Sequence, residues 1–232
     1  MAEQTDPDGG PLAGTLTGTQ GKDVAEQRLR EEIARGELAP GQRLVEAELG
    51  QRYGVTRNSA RLALDALAAD GLVERVPNRG ARVRTVSAAE AVAIMECRMV
   101  LDGLVARKAA ENVTAGQARR LEKNLNRMRQ AVARGDLLGY SALIQDQHEL
   151  VREIAGHQVA AALLDRLQAQ IVRHQFRLSL RPGRAQQSLR ELEKVVAAIV
   201  AREPARAETV ARAHVQGVIA TLLDHPATAG PG

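Results

Sequence analysis

Apolar side chains that recur every three or four residues predict three short helices in the first third of the chain. The predicted helices cover residues 22–35, 45–53 and 57–69. A glycine follows each of them closely, at Gly36, Gly54 and Gly71, and glycine favours the left-handed backbone that ends many helices. The pattern therefore indicates helices that are joined by short turns.

After the third helix the pattern changes from helical spacing to alternation. Residues 72–76 and 81–86 each alternate apolar and polar side chains, and the sequence Pro-Asn-Arg-Gly at 77–80 lies between them. Two such runs around a turn of this composition are typical of a β-hairpin. Three helices followed by a hairpin predict a winged helix-turn-helix.

From residue 87 onward the chain is predicted to be helical. Ser87 and Glu90 have the spacing of a capping box, and turn residues divide the remainder of the chain into six segments. The predicted helices are 88–112, 115–134, 137–155, 158–180, 185–202 and 204–224. Six helices with short connections predict an antiparallel six-helix bundle.

The predicted fold is therefore mostly α, with an N-terminal winged helix-turn-helix that carries a small β-hairpin wing and a C-terminal antiparallel six-helix bundle. Residues 1–20 have little to bury and are expected to form a disordered tail. The predicted domains are 21–86 for the winged helix-turn-helix and 87–225 for the all-α bundle. Residues 226–232 are expected to form a flexible tail.

Composition restricts the classes of partner. The formal net charge is only +4, so basic character matters where it is concentrated. Residues 51–84 hold seven arginines against three acidic residues. The chain has only two tyrosines, one phenylalanine and no tryptophan, which argues against a stacking platform for RNA or single strands. The basic segment indicates duplex DNA as the partner, and a merely solvated charged face is the alternative.

The cysteine content and the hydropathy of the chain indicate the cellular compartment in which the protein is expected. The single cysteine, Cys97, leaves no internal disulfide and suits a reducing compartment. No apolar run approaches the roughly 18 residues of a membrane span, and no secretory leader is recognisable at the start. We therefore expect a cytoplasmic protein with no membrane partner.

The start of the third predicted helix carries the strongest functional pattern. Thr56 is placed to cap the helix N-terminus, and Arg57 and Arg61 are four residues apart, so both side chains leave the same side. The opposite side is apolar and can pack on a core. A helix that offers its N-terminal end to an array of phosphates is typical of a recognition helix. An ion pair with Asp65 is the alternative for Arg61.

Several segments match one known pattern together. They are Leu-Val-Glu-Ala-Glu-Leu at 44–49, Val-Thr-Arg at 55–57, Arg61, Leu64, Gly-Leu-Val at 71–73 and Pro-Asn-Arg-Gly-Ala-Arg-Val at 77–83. In this combination the chain resembles the GntR family of bacterial transcription regulators. A second set consists of Arg98, Asp102, Ala106, Ala109 and Ala110. This set resembles the FCD effector domain of the FadR subfamily, and six predicted helices instead of seven resemble its VanR-like branch.

The resemblance implies a set of DNA contacts and assigns effector binding and dimerisation to residues 87–225. The implied DNA-binding residues are Thr56, Arg57, Asn58, Ser59, Arg61, Arg79 and Gly80. The two helix arginines would contact base edges or phosphates in the major groove. The short polar side chains would add hydrogen bonds at the helix start, and the two hairpin residues would reach the minor groove.

The resemblance also raises the question of a metal. Many members of the family hold a divalent ion with an Asp or Asn, a His four residues later, and two further His. In this chain His148 and His214 match the first and last histidine, whereas apolar Ile144 and Leu192 occupy the other two positions. Two imidazoles alone make a poor transition-metal site. We therefore expect no metal cofactor, and zinc or nickel held by the two histidines is the alternative.

A polar pocket in the helical domain is the preferred interpretation of these histidines. His148 and His214 are expected to bind a small organic acid, with Arg98 as the carboxylate clamp because a guanidinium fork matches both carboxylate oxygens. An ion pair between Arg98 and Asp102, four residues later, is the alternative. The other histidines are His157, expected to cap a helix or pack, and His174 and His225, expected at the surface.

The predicted function is a sequence-specific DNA-binding regulator, a homodimeric repressor that responds to a small carboxylate. One alternative is a metal-dependent sensor of the same family. Another is an all-helical enzyme with a basic head, but the sequence shows no nucleophile elbow, paired catalytic carboxylates or phosphate-cradling glycine loop. We therefore expect no enzymatic activity. A third alternative is a nonspecific chromosome-binding protein.

Overall fold

The computed structural model describes residues 15–77, 80–179, 181 and 183–224. In this part of the chain the helices and strands are α1 (Gly18–Arg35), β1 (Arg43–Leu44), α2 (Glu46–Tyr53), α3 (Arg57–Ala69), β2 (Val73–Val76), β3 (Gly80–Val83), α4 (Ala88–Asn112), α5 (Ala115–Arg134), α6 (Leu137–Ala155), α7 (Gln158–Ser179), α8 (Arg184–Val200) and α9 (Pro204–Leu223). Packing divides them into two units, with the boundary between Thr85 and Val86. The predicted fold class, mostly helical with a small wing, is confirmed.

The N-terminal unit is built around α3. Helices α1 and α2 both pack against it, and the stripe of α3 that the sequence predicts to be apolar is buried there. Leu29 of α1 and Leu64 and Leu67 of α3 are completely buried. Burial of each such side chain is worth about 1.5–3 kcal/mol, so this contact fixes the orientation of α3.

The wing is a three-stranded antiparallel sheet with the order β1-β3-β2. Strands β2 and β3 form the predicted hairpin, in which Val73 lies opposite Val83 and Val76 lies opposite Gly80. The sequence pattern does not predict strand β1. With two residues it is too short to show alternation, and it becomes a strand only because β3 pairs with it.

The prediction that residues 1–20 form a disordered tail is wrong for the part of this range that the structure describes. The amide of Leu16 donates to the carbonyl of Gly54 at 2.9 Å, and the amide of Thr56 donates to the carbonyl of Leu16 at 3.0 Å. Helix α1 then begins at Gly18, before the predicted start at Lys22. A pattern of side chains does not predict backbone hydrogen bonds of this kind.

Some predictions lie outside the described residues. They concern residues 1–14, Arg79, His225, the tail 226–232, and the side chain of His174.

The C-terminal unit is organised around α4, which contacts α6, α7, α8 and α9. Alanines on α4 allow close approach of these helices, and the buried ones are Ala91, Ala106, Ala109 and Ala110. The helices of this unit begin and end within two residues of their predicted bounds. Local capping explains this agreement: Ser87 accepts from the amide of Glu90 at 3.1 Å, and His157 caps α7 by accepting from the amide of Ala160 at 3.2 Å.

Among the described helices, none combines the length and the apolar character that a bilayer span requires.

Two glycines of the N-terminal unit provide a test of the wing. Gly80 has a φ of +86°, and a Cβ atom on it would lie 2.7 Å from the carbonyl oxygen of Leu44 in β1. Gly41 has a similar φ of +77°, but a Cβ there would meet no atom of the described residues within 4 Å. We expect Gly41→Ala to cost about 1–2 kcal/mol for the left-handed backbone alone, and Gly80→Ala to cost clearly more.

Hydrogen exchange of peptides that cover residues 41–83, read by mass spectrometry, measures both variants. Faster exchange in Gly80→Ala than in Gly41→Ala is the expected result. Equal exchange in the two variants would contradict the close packing of β1 against β3.

Candidate nucleic-acid interface and effector cavity

The N-terminus of α3 is capped as the sequence predicts. The Thr56 hydroxyl accepts from the amide of Ser59 at 3.1 Å and donates to the Ser59 hydroxyl at 2.9 Å. This cap satisfies one of the amides that a helix start leaves without a partner. It also holds the first turn of α3 at the surface in a defined geometry.

Both candidate recognition arginines are exposed on α3. The Arg57 side chain is 77% exposed, and its Nε lies at the long distance of 3.5 Å from a Glu46 carboxylate oxygen. Arg61 is exposed and donates from Nη2 to the Asn58 side-chain oxygen at 2.8 Å. Asn58 is exposed as well. Their side chains are therefore open to a ligand, and the DNA contacts themselves remain a prediction.

Arg75 of β2 bonds two carboxylates that lie near these arginines, those of Asp65 and Glu46. It donates from Nε to Asp65 at 2.8 Å, from Nη1 to Glu46 at 3.1 Å, and from Nη2 to the main-chain carbonyl of Arg61 at 2.9 Å. Asp65 thus pairs with Arg75, and the alternative in which it pairs with Arg61 is wrong. Sequence reasoning missed this role of Arg75, because its partners lie 10 to 29 residues away.

Ser59 is a correction to the predicted set of DNA-binding residues. Its exposed fraction is 0%, and its hydroxyl bonds Thr56 and donates to the carbonyl of Gly18 at 3.3 Å. A side chain in this position fastens α3 to α1 and cannot reach a duplex. Gly80 likewise has a role within the fold, since the space that a side chain would need there is filled by β1.

A cavity lies within the C-terminal unit, between α4, α6, α8 and α9. The space open to the centres of water molecules is about 60 Å³, enough for several waters or a small ligand. Its polar lining consists of Arg98, Asp102, Gln147, His148, Arg152 and His214, and the remaining lining side chains are all apolar. The three predicted effector residues are thus brought together in one place.

Arg98 is a buried charge at the wall of this cavity. Its side chain is 3% exposed, and Nη2 lies 3.4 Å from a carboxylate oxygen of Asp102. Nη1 donates to the side-chain oxygen of Gln168 on α7, whereas the buried Nε has no acceptor among the described residues. Burial lowers the pKa of the guanidinium, but arginine stays charged in proteins. The ion pair with Asp102 that the sequence offered as the alternative is therefore present, and the buried Nε–H of Arg98 is left without an acceptor among the described residues.

His214 is held by a carboxylate behind the cavity wall. Its Nδ1 lies 2.8 Å from an oxygen of Glu191, and the same oxygen accepts two bonds of 3.1 Å from buried Arg184. The other oxygen of Glu191 accepts from Gln187 at 2.9 Å. Although burial acts in the opposite direction, the bond to His214 and the neighbouring positive charges lower the pKa of Glu191.

His148 lines the same cavity, but unlike His214 it has no carboxylate bonded to its Nδ1 among the described residues. Its ring lies 6.5 Å from that of His214, between centroids, and its buried Nδ1 has no partner within the described chain. Desolvation, reinforced by Arg98, His214 and Arg152, lowers the pKa of His148 well below its ordinary value. The imidazole is therefore neutral at physiological pH. The buried amide nitrogen of Gln147 has no partner in the same set of residues either.

The residues present do not fit the metal site that the resemblance suggests. Leu192 is 3% exposed and lines the cavity as an apolar side chain, while Ile144 packs against the hydrophobic core. Within the described residues, no three His, Cys, Asp or Glu side chains are grouped closely enough to hold an ion. A transition-metal site needs more donors of this kind than two imidazoles supply.

Sequence reasoning missed several residues that line the cavity or bond its lining side chains. Arg152 was recognisable in principle, because it lies four residues after His148 on the same face of α6. Glu191 precedes Leu192 directly, but nothing in the sequence pairs it with His214. Gln147 and Gln168 carry no local signal, because uncharged polar residues are common on helix surfaces.

The fold and the two sites define a class of protein. A capped helix with exposed arginines beside an antiparallel wing is a DNA-binding winged helix-turn-helix, and a separate helical unit contains a cavity with six polar lining side chains. Residues 22–83 match the bacterial regulatory proteins of the gntR family, and residues 93–217 match the FCD domain. The chain belongs to the GntR family of transcription regulators with an FCD domain, and it is a DNA-binding transcriptional regulator rather than an enzyme.

Individual relatives agree with this assignment. The chain is 30% identical over 190 residues to the HTH-type transcriptional repressor RspR of Escherichia coli strain K12, and the match covers 82% of this chain and 83% of that protein. It is 28% identical over 209 residues to the HTH-type transcriptional regulator LutR of Bacillus subtilis, covering 80% and 94%.

Solved structures share the fold. E. coli McbR/YncC matches with a TM-score of 0.76 at 19% identity and covers 88% of this chain and 97% of its own. A putative GntR transcriptional regulator from Rhodococcus sp. RHA1 matches with a TM-score of 0.73 at 20% identity, covering 89% and 99%.

The state of His148 predicts a pH dependence of stability. Its folded-state pKa lies below the ordinary value of 6.5, so below that pH the unfolded chain binds a proton that the folded chain does not. This contribution to the free energy of unfolding is therefore present above about pH 6.5 and is lost as the pH falls, by at most about 1.4 kcal/mol per pH unit.

The variant His148→Gln keeps a polar side chain but does not titrate. Urea unfolding of both proteins between about pH 7 and about pH 5 should show a steeper loss of stability in the parent protein than in the variant. The slope is compared rather than the absolute stability, which the substitution also changes. Parallel slopes would show that His148 does not resist protonation in the fold.

Proposed function

We propose that the protein is a ligand-responsive repressor that acts as a homodimer in the cytoplasm and senses a small carboxylate. We also propose that it belongs to the VanR-like branch of its subfamily. Six helices in the described part of the C-terminal unit support this branch. The observation that carries the proposal is that one chain has both features: two exposed arginines on a capped helix, and a cavity whose wall holds buried Arg98.

The DNA-reading surface rests on α3 and the wing. Arg57 and Arg61 lie on one side of α3, and the helix N-terminus beside them adds a partial positive charge. The guanidinium fork is suited to guanine edges and to phosphates. We therefore propose that Arg57, Asn58 and Arg61 contact the operator directly, that Thr56 supports them as the cap, and that Arg79 and Gly80 place the wing against the backbone or minor groove.

The charge of the cavity supports an anionic effector. Arg98 and Arg152 both line it, against the single carboxylate of Asp102 among its polar lining residues. The Nε–H of Arg98 is buried without an acceptor in the described chain, and leaving a buried donor unpaired costs about 1–3 kcal/mol. A carboxylate that accepts from Arg98 removes this cost. Repression relieved by such a ligand follows if the liganded unit disfavours the DNA-bound state.

A second copy of the chain is proposed to complete the regulator. Val159 and Leu163 lie one turn apart on α7 and are 68% and 44% exposed. Apolar side chains spaced in this way suit the self-complementary contact of a two-fold dimer. Two such copies present two recognition helices, which matches an operator made of two half-sites.

The variant Arg57→Ala/Arg61→Ala tests the DNA-reading surface. We expect it to lose at least about a hundredfold in affinity for the DNA upstream of its own gene, because each lost base or phosphate contact is worth about 1–3 kcal/mol. Electrophoretic mobility shift, with an excess of unrelated duplex as competitor, measures the loss and separates sequence-specific binding from binding to any duplex.

The matched control is Arg28→Ala/Arg35→Ala, which removes the same charge from exposed positions on α1. This control should keep operator binding, and both variants should keep the helical circular dichroism spectrum and the sedimentation of a dimer. Wild-type operator affinity in the α3 variant would refute the assignment of the recognition surface.

Arg98→Lys tests the effector site. Lysine keeps the positive charge beside Asp102 but lacks the planar fork. We expect small carboxylates, such as propionate, lactate and succinate, to raise the melting temperature of the parent protein, and this rise to be largely lost in the variant. Arg120→Lys, at an exposed ion pair with Glu153, is the control and should respond like the parent protein. A panel of acids that stabilises neither parent nor control would refute a carboxylate effector.

A further inference from the structure

The bond between His214 and Glu191 fixes which ring nitrogen of His214 carries hydrogen. Glu191 accepts from Arg184 and Gln187 and is ionised, and an ionised carboxylate can only accept. The 2.8 Å contact with Nδ1 is therefore a hydrogen bond that Nδ1–H donates. In the neutral form of the ring, Nε2 then has no hydrogen and is an acceptor.

This acceptor belongs to the cavity side of the ring. His214 lines the cavity, whereas Glu191 does not, so Nδ1 is engaged from behind and the opposite edge of the ring is what a ligand meets. Among the described residues, the unpartnered buried groups around the cavity include two donors, the Nε–H of Arg98 and the amide nitrogen of Gln147. The cavity thus combines donors for an anion with one histidine that requires a donor from the ligand.

We propose that Glu191 is a positioning residue that makes His214 an acceptor, so that the cavity selects a small acid bearing a hydroxyl group close to its carboxylate. The carboxylate accepts from Arg98, and the hydroxyl donates to Nε2 of His214. An ammonium group in place of the hydroxyl would meet the net positive charge of Arg98, Arg152 and Asp102 and would be disfavoured. This inference rests on the proposed carboxylate effector and specifies its second polar group.

Matched pairs of acids test the proposal. Isothermal titration calorimetry at one slightly alkaline pH compares glycolate with acetate and lactate with propionate. In the parent protein the hydroxy acid of each pair should bind about tenfold more tightly, as expected for one buried hydrogen bond. In Glu191→Gln the ratio of the two affinities should fall towards one. The reason is that the glutamine amide can donate to Nδ1, which moves the hydrogen of the ring to Nε2.

Glu193→Gln is the matched control, because Glu193 lies on the same helix and makes a surface ion pair with Arg129 at 2.7 Å. It should keep the preference of the parent protein. A second variant, His214→Leu, removes the acceptor without changing Glu191, and it should also lose the preference. This variant covers the case in which loss of the Glu191 charge beside buried Arg184 prevents folding.

Nitrogen chemical shifts of the imidazoles, measured by NMR on the parent protein, report the tautomer of His214 directly. Hydrogen on Nδ1 and none on Nε2 is the expected result. Hydrogen on Nε2, or equal affinity for the acids of each pair, would overturn the inference and leave the carboxylate effector intact. Failure of all four acids to bind would instead overturn the proposed effector class on which the inference depends.

Discussion

The geometry of the proposed DNA-reading surface depends on the three hydrogen bonds of Arg75. This side chain joins β2 to Asp65 and the Arg61 carbonyl on α3 and to Glu46 on α2. Ion pairs at a partly exposed position contribute little stability, commonly below about 1 kcal/mol each, so the importance of Arg75 is not mainly energetic. By occupying these two carboxylates it leaves Arg57 and Arg61 with weak or local contacts. A residue of the wing thus leaves the two arginines of the proposed recognition helix without a strong acidic partner.

In the C-terminal unit the corresponding constraint is the cost of burying polar groups. Arg98, Gln147 and His148 each hold a buried polar atom without a partner in the described chain, and all three line one cavity. Unsatisfied groups of this kind are rare in folded proteins, and three of the five that the described residues hold line this cavity, the others being on Asn124 and Tyr140, which makes it the candidate site of this unit. Helix α4 carries Arg98 and begins directly after the unit boundary, at Ala88. The proposed effector would thus bond the first helix of the C-terminal unit.

Much of the fold could be predicted because its signals are local. Helical spacing, capping residues and turn glycines lie within a few residues of the elements that they define, so the C-terminal helices end close to their predicted bounds. The two-residue strand β1 and the segment around Leu16 could not be predicted, because the backbone pairing that defines each of them involves residues far away in the sequence. The same difference between local and distant signals decides which site residues could be predicted. Arg57, Arg98 and His214 have local motifs, whereas the burial of Ser59 and the partners of Arg75 and His214 depend on tertiary packing.

The two histidines of the cavity show how packing assigns different chemistry to one residue type. His148 has no carboxylate bonded to its buried Nδ1 among the described residues, so desolvation and neighbouring cations keep it neutral, and either of its nitrogens can carry the hydrogen. His214 has Glu191 behind it, and this carboxylate assigns the hydrogen to Nδ1. Leu192, beside Glu191 in the sequence, keeps that part of the wall apolar where a metal-binding relative would need a donor. Arg98 and Arg152 face the single carboxylate of Asp102 in the lining, so the proposed anionic effector would lower the electrostatic cost of the fold, and its binding would raise the stability of the protein.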